Sequence, residues 1–249
     1  MVDDTFVTFI DWLRTYPPLF VSLLVYILCT ISVALIDKYF NYAGLSCYVI
    51  LCGIIANLQV LYPTKYALVP FPILLGTVVF SSTFLAVDIM NEKYGKQLAT
   101  KSVLLSVVCN IFFMLNMILM LGHKPLQGLG LDDKVTALSH IFIPQGRIIF
   151  ASYISFLSAQ LTEIMLLKIL GKTVFFHNLS LFISSVLIDN IVFTLFAFVI
   201  LGNGNFTTQN AIYVSISAIA IRIFCNLLNT FIYRIIKRYA SLGKDIYKR

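Results

Sequence analysis

Four ionisable side chains stand inside stretches that are otherwise apolar: Asp88, Glu163, Asp189 and Arg222. A charge at the centre of a hydrocarbon layer costs at least about 2.5–3.5 kcal/mol, so the few that occur there mark function or pairing. Each main candidate has polar company at helical spacing. Gln160 lies three residues before Glu163 and Ser185 four before Asp189, while Arg222, Asn226 and Asn229 mark one helical face. Asn57, Gln59, Asn110 and Asn116 add amides in two further apolar stretches. A carboxylate accepts two parallel N–H bonds from an amidine-like edge, amides read carbonyls and ring nitrogens, and Phe or Tyr offers a face for stacking. A guanine-like base meets all three requirements, as do other small polar solutes. The residues alone therefore point to a small-molecule carrier with a wet midplane site. The alternative is that Asp189 and Arg222 neutralise each other and tie helices together.

The elements that must hold these residues follow from composition. Of 249 residues, 59% are hydrophobic and 12% charged, with a mean hydropathy of +0.92, too little polar surface for a soluble globule. Apolar runs recur at 18–36, 44–62, 68–90, 101–122, 147–170, 180–201 and 211–235, each close to the length that crosses a bilayer. Lipid offers the backbone no partner and nothing alternates like a barrel strand, so all seven are expected to be helices of an all-α integral membrane protein. Asp189 lies about nine residues into its run and Arg222 about eleven into an oppositely directed one, which at about 1.5 Å per residue brings both near the midplane. Glu163, about sixteen residues into an inward-running helix, lies somewhat below them, toward the cytoplasmic side.

Orientation follows from the basic residues. Lys38, Lys93, Lys96, Lys101, Lys168, Lys172 and the C-terminal Arg234, Lys237, Arg238, Lys244, Lys248 and Arg249 fall on one side, against Arg14, Lys65, Lys124, Lys134 and Arg147 on the other. This asymmetry predicts a cytoplasmic C-terminus, an external N-terminus and anionic lipid, not nucleic acid, as the counter-charge of the +7 chain. Asp3, Asp4 and Asp11 precede the first run, unlike the basic start of a cleaved signal. Pro17 and Pro18 suit a helix entry. In the long loop 123–146, Asp132 and Asp133 followed by Val135, Leu138 and Phe142 predict a capped amphipathic turn or two on the outer surface.

Other chemistries find little support. Cys29, Cys47, Cys52, Cys109 and Cys225 have no metal or redox spacing and are expected to be small buried hydrophobes. His123, His140 and His177 are scattered, so neither a metal nor a cofactor is expected. No nucleophile, zinc or paired-acid motif points to an enzyme.

The stretch FLAVDIMNEKYGKQLA at 84–99 resembles the most distinctive motif of the queuosine precursor transporter family, which is related to vitamin uptake transporters. RIIFASYISFLSAQL at 147–161 and SSVLIDNIVF at 184–193 resemble two later motifs of that family, and Arg222 falls where it usually has Lys. The resemblance, over roughly 44–238, implies a six-helix core that imports 7-deazaguanines such as preQ0, preQ1 or queuine across the bacterial inner membrane. The run at 18–36 is then an additional helix, 1–17 a short external segment and 239–249 a basic cytoplasmic tail. It also implies functional weight for Asp88, Glu92, Arg147, Gln160, Asp189 and Arg222, with Glu163 where the family carries Asp.

Together these readings place Asp189, Arg222, Glu163, Gln160, Asn57, Ser185 and Asn226 at the substrate and Asp88, Glu92 and Arg147 at gates. Asp88, Glu92, Lys93, Lys96 and Lys101 share a cytoplasmic connection where pairs can form and break; a solvated loop that sets orientation is the plainer alternative. His177-Asn178, Leu181-Phe182 and Val186 depart from the family pattern, which bears on the cargo. Two rival functions stay open: a binding subunit of an energy-coupled vitamin-type transporter, and a non-transporting seven-helix receptor or scaffold. A homo-oligomer is compatible with either.

Overall fold

A computed structural model describes residues 2–66, 72–124, 132–170, 186–201 and 208–246. Helix α1 (Val2–Arg14) is followed by α2 (Pro18–Gln59), a small hairpin of β1 (Pro63–Lys65) and β2 (Pro72–Leu74), then α3 (Gly76–Tyr94) and α4 (Lys96–Leu121). Helix α5 (Asp132–Leu170), the shorter α6 (Val186–Ile200) and α7 (Thr208–Ile246) follow among the described residues. Among the described residues, Pro18–Gln59, Lys96–Leu121 and Gln209–Asn229 are long and apolar enough to cross a membrane.

The exposed surface of these helices is apolar and much of the buried surface is polar. On α4, Leu104, Val108, Phe112, Leu115 and Leu119 face outward while Ser102 and Asn110 are buried. Water would invert that arrangement; hydrocarbon favours it. The chain is a multi-pass membrane protein.

Two expected runs, 18–36 and 44–62, are joined in α2 by a turn of one residue. Asn41 has φ 53° and ψ −142°, outside the helical region. The two halves fold back on each other there, because the Tyr48 hydroxyl donates to the Cys29 carbonyl at 3.4 Å. An unbroken helix would hold those residues about 28 Å apart. Asn tolerates positive φ better than residues with bulkier Cβ substituents, though this ψ suits glycine best. Asn41→Val is expected to lower stability by about 1–3 kcal/mol while Asn41→Gly does not. Thermal unfolding in detergent checks this; equal midpoints for Val and Gly would remove the strained turn.

The folded-back α2 embraces α3. Cys29, Val33, Leu45, Val49, Cys52 and Ala56 pack with Val79, Leu85, Ala86, Ile89 and Met90. Helix α3 is lined with small residues, and a Cβ at Gly76 would lie 2.2 Å from the Ala56 carbonyl oxygen, so only glycine permits that approach. At its other end α3 passes into α4 through Gly95 alone, whose φ of 91° turns the chain without a loop.

Several expectations are corrected. The run at 68–90 is not one helix: Pro63, Thr64 and Lys65 pair antiparallel with Leu74, Ile73 and Pro72. Prolines 63, 70 and 72 deny the N–H groups a helix needs, so helix begins only at Gly76. The N-terminal segment, expected as a short stretch before the first run, carries the helix α1, whose Phe6, Phe9 and Ile10 are exposed. The predicted turn at Asp132 is instead the start of α5, which continues through Pro144 to Leu170. Cys29, Cys52 and Cys225 are buried as expected, but Cys47 is exposed and Cys109 half-buried. Of the run at 180–201, residues 180–185 lie outside the described residues.

Candidate functional site

Asp189 on α6 and Arg222 on α7 meet as an ion pair, with the Arg222 Nη1 donating to the Asp189 Oδ2. Their side chains are only 12% and 16% exposed, Arg222 being the less accessible. The guanidinium also lies over the Phe80 ring of α3, 4.8 Å from its centroid, and its Nε is buried without a hydrogen-bond partner. Three helices thus bring together a carboxylate, a guanidinium and an aromatic face. Such an ion pair is held by charge attraction and a cation–π contact but leaves one guanidinium donor unused.

The register of α7 against α3 is fixed two turns further along. Asn229 Nδ2 donates to the Ser81 carbonyl at 2.9 Å, and its Oδ1 accepts from the Tyr26 hydroxyl at 2.8 Å. Asn229 and Arg222 are seven residues apart, so they share a face of α7 and meet adjacent residues of α3, Ser81 and Phe80. Tyr26 belongs to the first half of α2, which is therefore fastened to this site.

A second polar node joins α2, α4 and α5. Asn57 Nδ2 donates to Asn110 Oδ1 at 3.1 Å, Ser152 donates to Asn57 Oδ1 at 3.2 Å, and Asn110 Nδ2 donates to the Ser106 carbonyl at 2.8 Å. Asn57 is therefore engaged between helices. Asn116 bonds its own helix at Phe112, on an exposed face.

At the α3–α4 junction Lys93 pairs with Asp37 of α2, whose side chain is 7% exposed. Asp88 and Glu92 are exposed. Sequence reasoning passed over Asp37; its place at the end of an apolar run, beside Lys38, was the available signal. Arg147 is not brought to Asp88 and Glu92. A Cβ on its neighbour Gly146 would lie 3.3 Å from Met114 Cε, near the opposite end of α4 from Lys96. Asp37→Asn is expected to cost about 1–2 kcal/mol, less than a fully buried pair because Lys93 remains 43% exposed. Chemical denaturation checks the loss, and Asp37→Lys with Lys93→Asp should regain most of it; no regain would mean the pair is incidental.

Of the remaining expected site residues, the side chains of Gln160, Glu163 and Asn226 and the whole of Ser185 lie outside the described residues. The backbones of Gln160 and Glu163 are on α5 and that of Asn226 is on α7, one turn from Arg222.

Known proteins give this geometry a context. A family model described as "Putative vitamin uptake transporter" matches residues 74–236, which contain Phe80, Asp88, Asp189 and Arg222. The chain is also 27% identical over 207 residues to a "Probable queuosine precursor transporter" of Bacillus subtilis (strain 168), covering 80% of this chain and 86% of that protein. No solved structure matches it. With more than half its length matched, this chain belongs to the vitamin uptake transporter family.

Proposed function

We propose that the chain imports 7-deazaguanine bases, precursors of queuosine or queuine itself, across the inner membrane of a bacterium. The two halves of α2 together with α3, α4, α5, α6 and α7 make seven crossings, with the C-terminus in the cytoplasm, and residues 44–238 form the six-helix core. The observation that carries this reading is the Asp189–Arg222 pair beside Phe80. An arriving base replaces Arg222 at Asp189, whose two oxygens accept the parallel N–H groups of the base's amidine-like edge. Arg222 turns to the ring carbonyl, and Phe80 exchanges its cation for the flat ring. Each lost contact has a successor, so loading the site leaves no charge stranded, and the exchange couples occupancy to the relation between α6 and α7. Glu163 and Gln160 on α5 supplement the carboxylate. The name of the Bacillus subtilis relative supports the choice of solute class.

The test is genetic. A bacterium unable to make or import queuosine precursors receives this chain and is supplied with preQ0, preQ1 or queuine separately. Queuosine should return to its tRNA with at least one of them. No restoration, with the protein shown to reach the membrane, contradicts the proposal.

A further inference from the structure

Gln145 of α5 is 1% exposed, and neither its Oε1 nor its Nε2 has a hydrogen-bond partner. A buried primary amide has two donors and an acceptor, and leaving them all unmade is among the costlier arrangements a fold can hold. It is not alone. Gln59 Oε1 and Arg147 Nε are also buried without partners.

Contacts along the helices place these groups at one end of the bundle. Tyr153 bonds the Val107 carbonyl while Gly146 approaches Met114, so α4 and α5 run antiparallel. Ser46 meets Ser102 and Asn57 meets Asn110, so the second half of α2 runs parallel to α4. Passing from Ser152 to Gln145 on α5, and from Asn57 to Gln59 on α2, therefore leads the same way out of the Asn57 node. Gln145, buried, and Ser152, half-buried, are seven residues apart and share a face of α5. Pro144, just before Gln145, also has no N–H to give the preceding turn.

We infer that Gln145 is a solute-reading residue at the end of the pathway where α4 ends, an outer loading position distinct from the Asp189–Arg222 pair. Its side-chain carbonyl and N–H match the N–H and C=O of a cyclic lactam, the edge a 7-deazaguanine presents beside its amidine. The solute supplies the hydrogen-bond partners that the Gln145 amide lacks. This inference rests on the proposed import function, and its test separates the two.

Wild-type protein and Gln145→Met, which keeps the shape and removes both polar atoms, are reconstituted in liposomes, and uptake of labelled preQ0, preQ1 and queuine is followed against concentration. The variant should be at least as heat-stable as wild type in detergent, having lost an unsatisfied amide, yet need at least about tenfold more solute for half-maximal uptake. Equal uptake curves for a transporting wild type and the variant would overturn the inference and make Gln145 a water-satisfied structural residue. A wild type that moves none of the three overturns the import function itself, and this inference with it.

Discussion

Asp189→Asn is expected to reduce uptake of a 7-deazaguanine by at least about 100-fold, the scale of losing one to two charge-assisted hydrogen bonds. Asparagine keeps the shape but offers one acceptor and one donor where the base needs two acceptors, so one edge contact becomes a repulsion. It also leaves Arg222, 12% exposed, facing Phe80 with no counter-charge. Uptake by cells with equal membrane levels of each protein is the measurement. Cys109→Ala, a half-buried α4 position apart from these groups, is the control and should keep its uptake. An active Asp189→Asn protein would remove that carboxylate from the site.

The second large effect separates gripping a solute from holding helices together. Removing Arg222 alone, as Arg222→Met, strands a carboxylate that is 16% exposed, and should cost about 3 kcal/mol or more of stability. Replacing both, Asp189→Leu with Arg222→Met, removes the stranded charge, and apolar replacements of such pairs are commonly neutral or stabilising. The double variant should therefore unfold close to the wild-type temperature and still transport nothing. If it transports, the pair only joins α6 to α7.

Much of this site was legible because membranes make polar residues conspicuous. Asp189 and Arg222 stand out in runs where an ordinary protein would place Leu or Phe, and counting helix rise from each end already set them at one level. That they meet against Phe80 was not legible, since one Phe among 21 carries no mark of its neighbour. The chain reversal between the first two runs was visible as a gap. Its compression to Asn41 was not, because a positive φ belongs to the backbone and leaves only a preference in sequence.

Other features were hidden by the same hydropathy that revealed the spans. Residues 68–74 are apolar enough to read as part of a crossing, and Pro70 and Pro72 lower hydropathy only slightly, although Pro72–Leu74 pairs as a strand with Pro63–Lys65. In α1, Asp3, Asp4 and Asp11 interrupt the hydropathy of a segment that nonetheless exposes Phe6, Phe9 and Ile10. Asp37 stands at a run's end, where acids are common; its ion pair with Lys93, distant in sequence, is a tertiary fact. Gln145 precedes the run at 147–170 and falls in a stretch, 123–146, that hydropathy marks as loop; the continuity of α5 through Pro144 is a property of the fold.

Import through this site requires the guanidinium of Arg222 to yield its place to a flat ring. A structure of the protein with preQ1 or queuine bound measures this directly. The predicted result is a base lying between Asp189 and Phe80, its edge on the carboxylate, with Arg222 more than about 4 Å from Asp189, beyond ion-pair contact. A bound base elsewhere, with the Asp189–Arg222 pair still closed against Phe80, would contradict it.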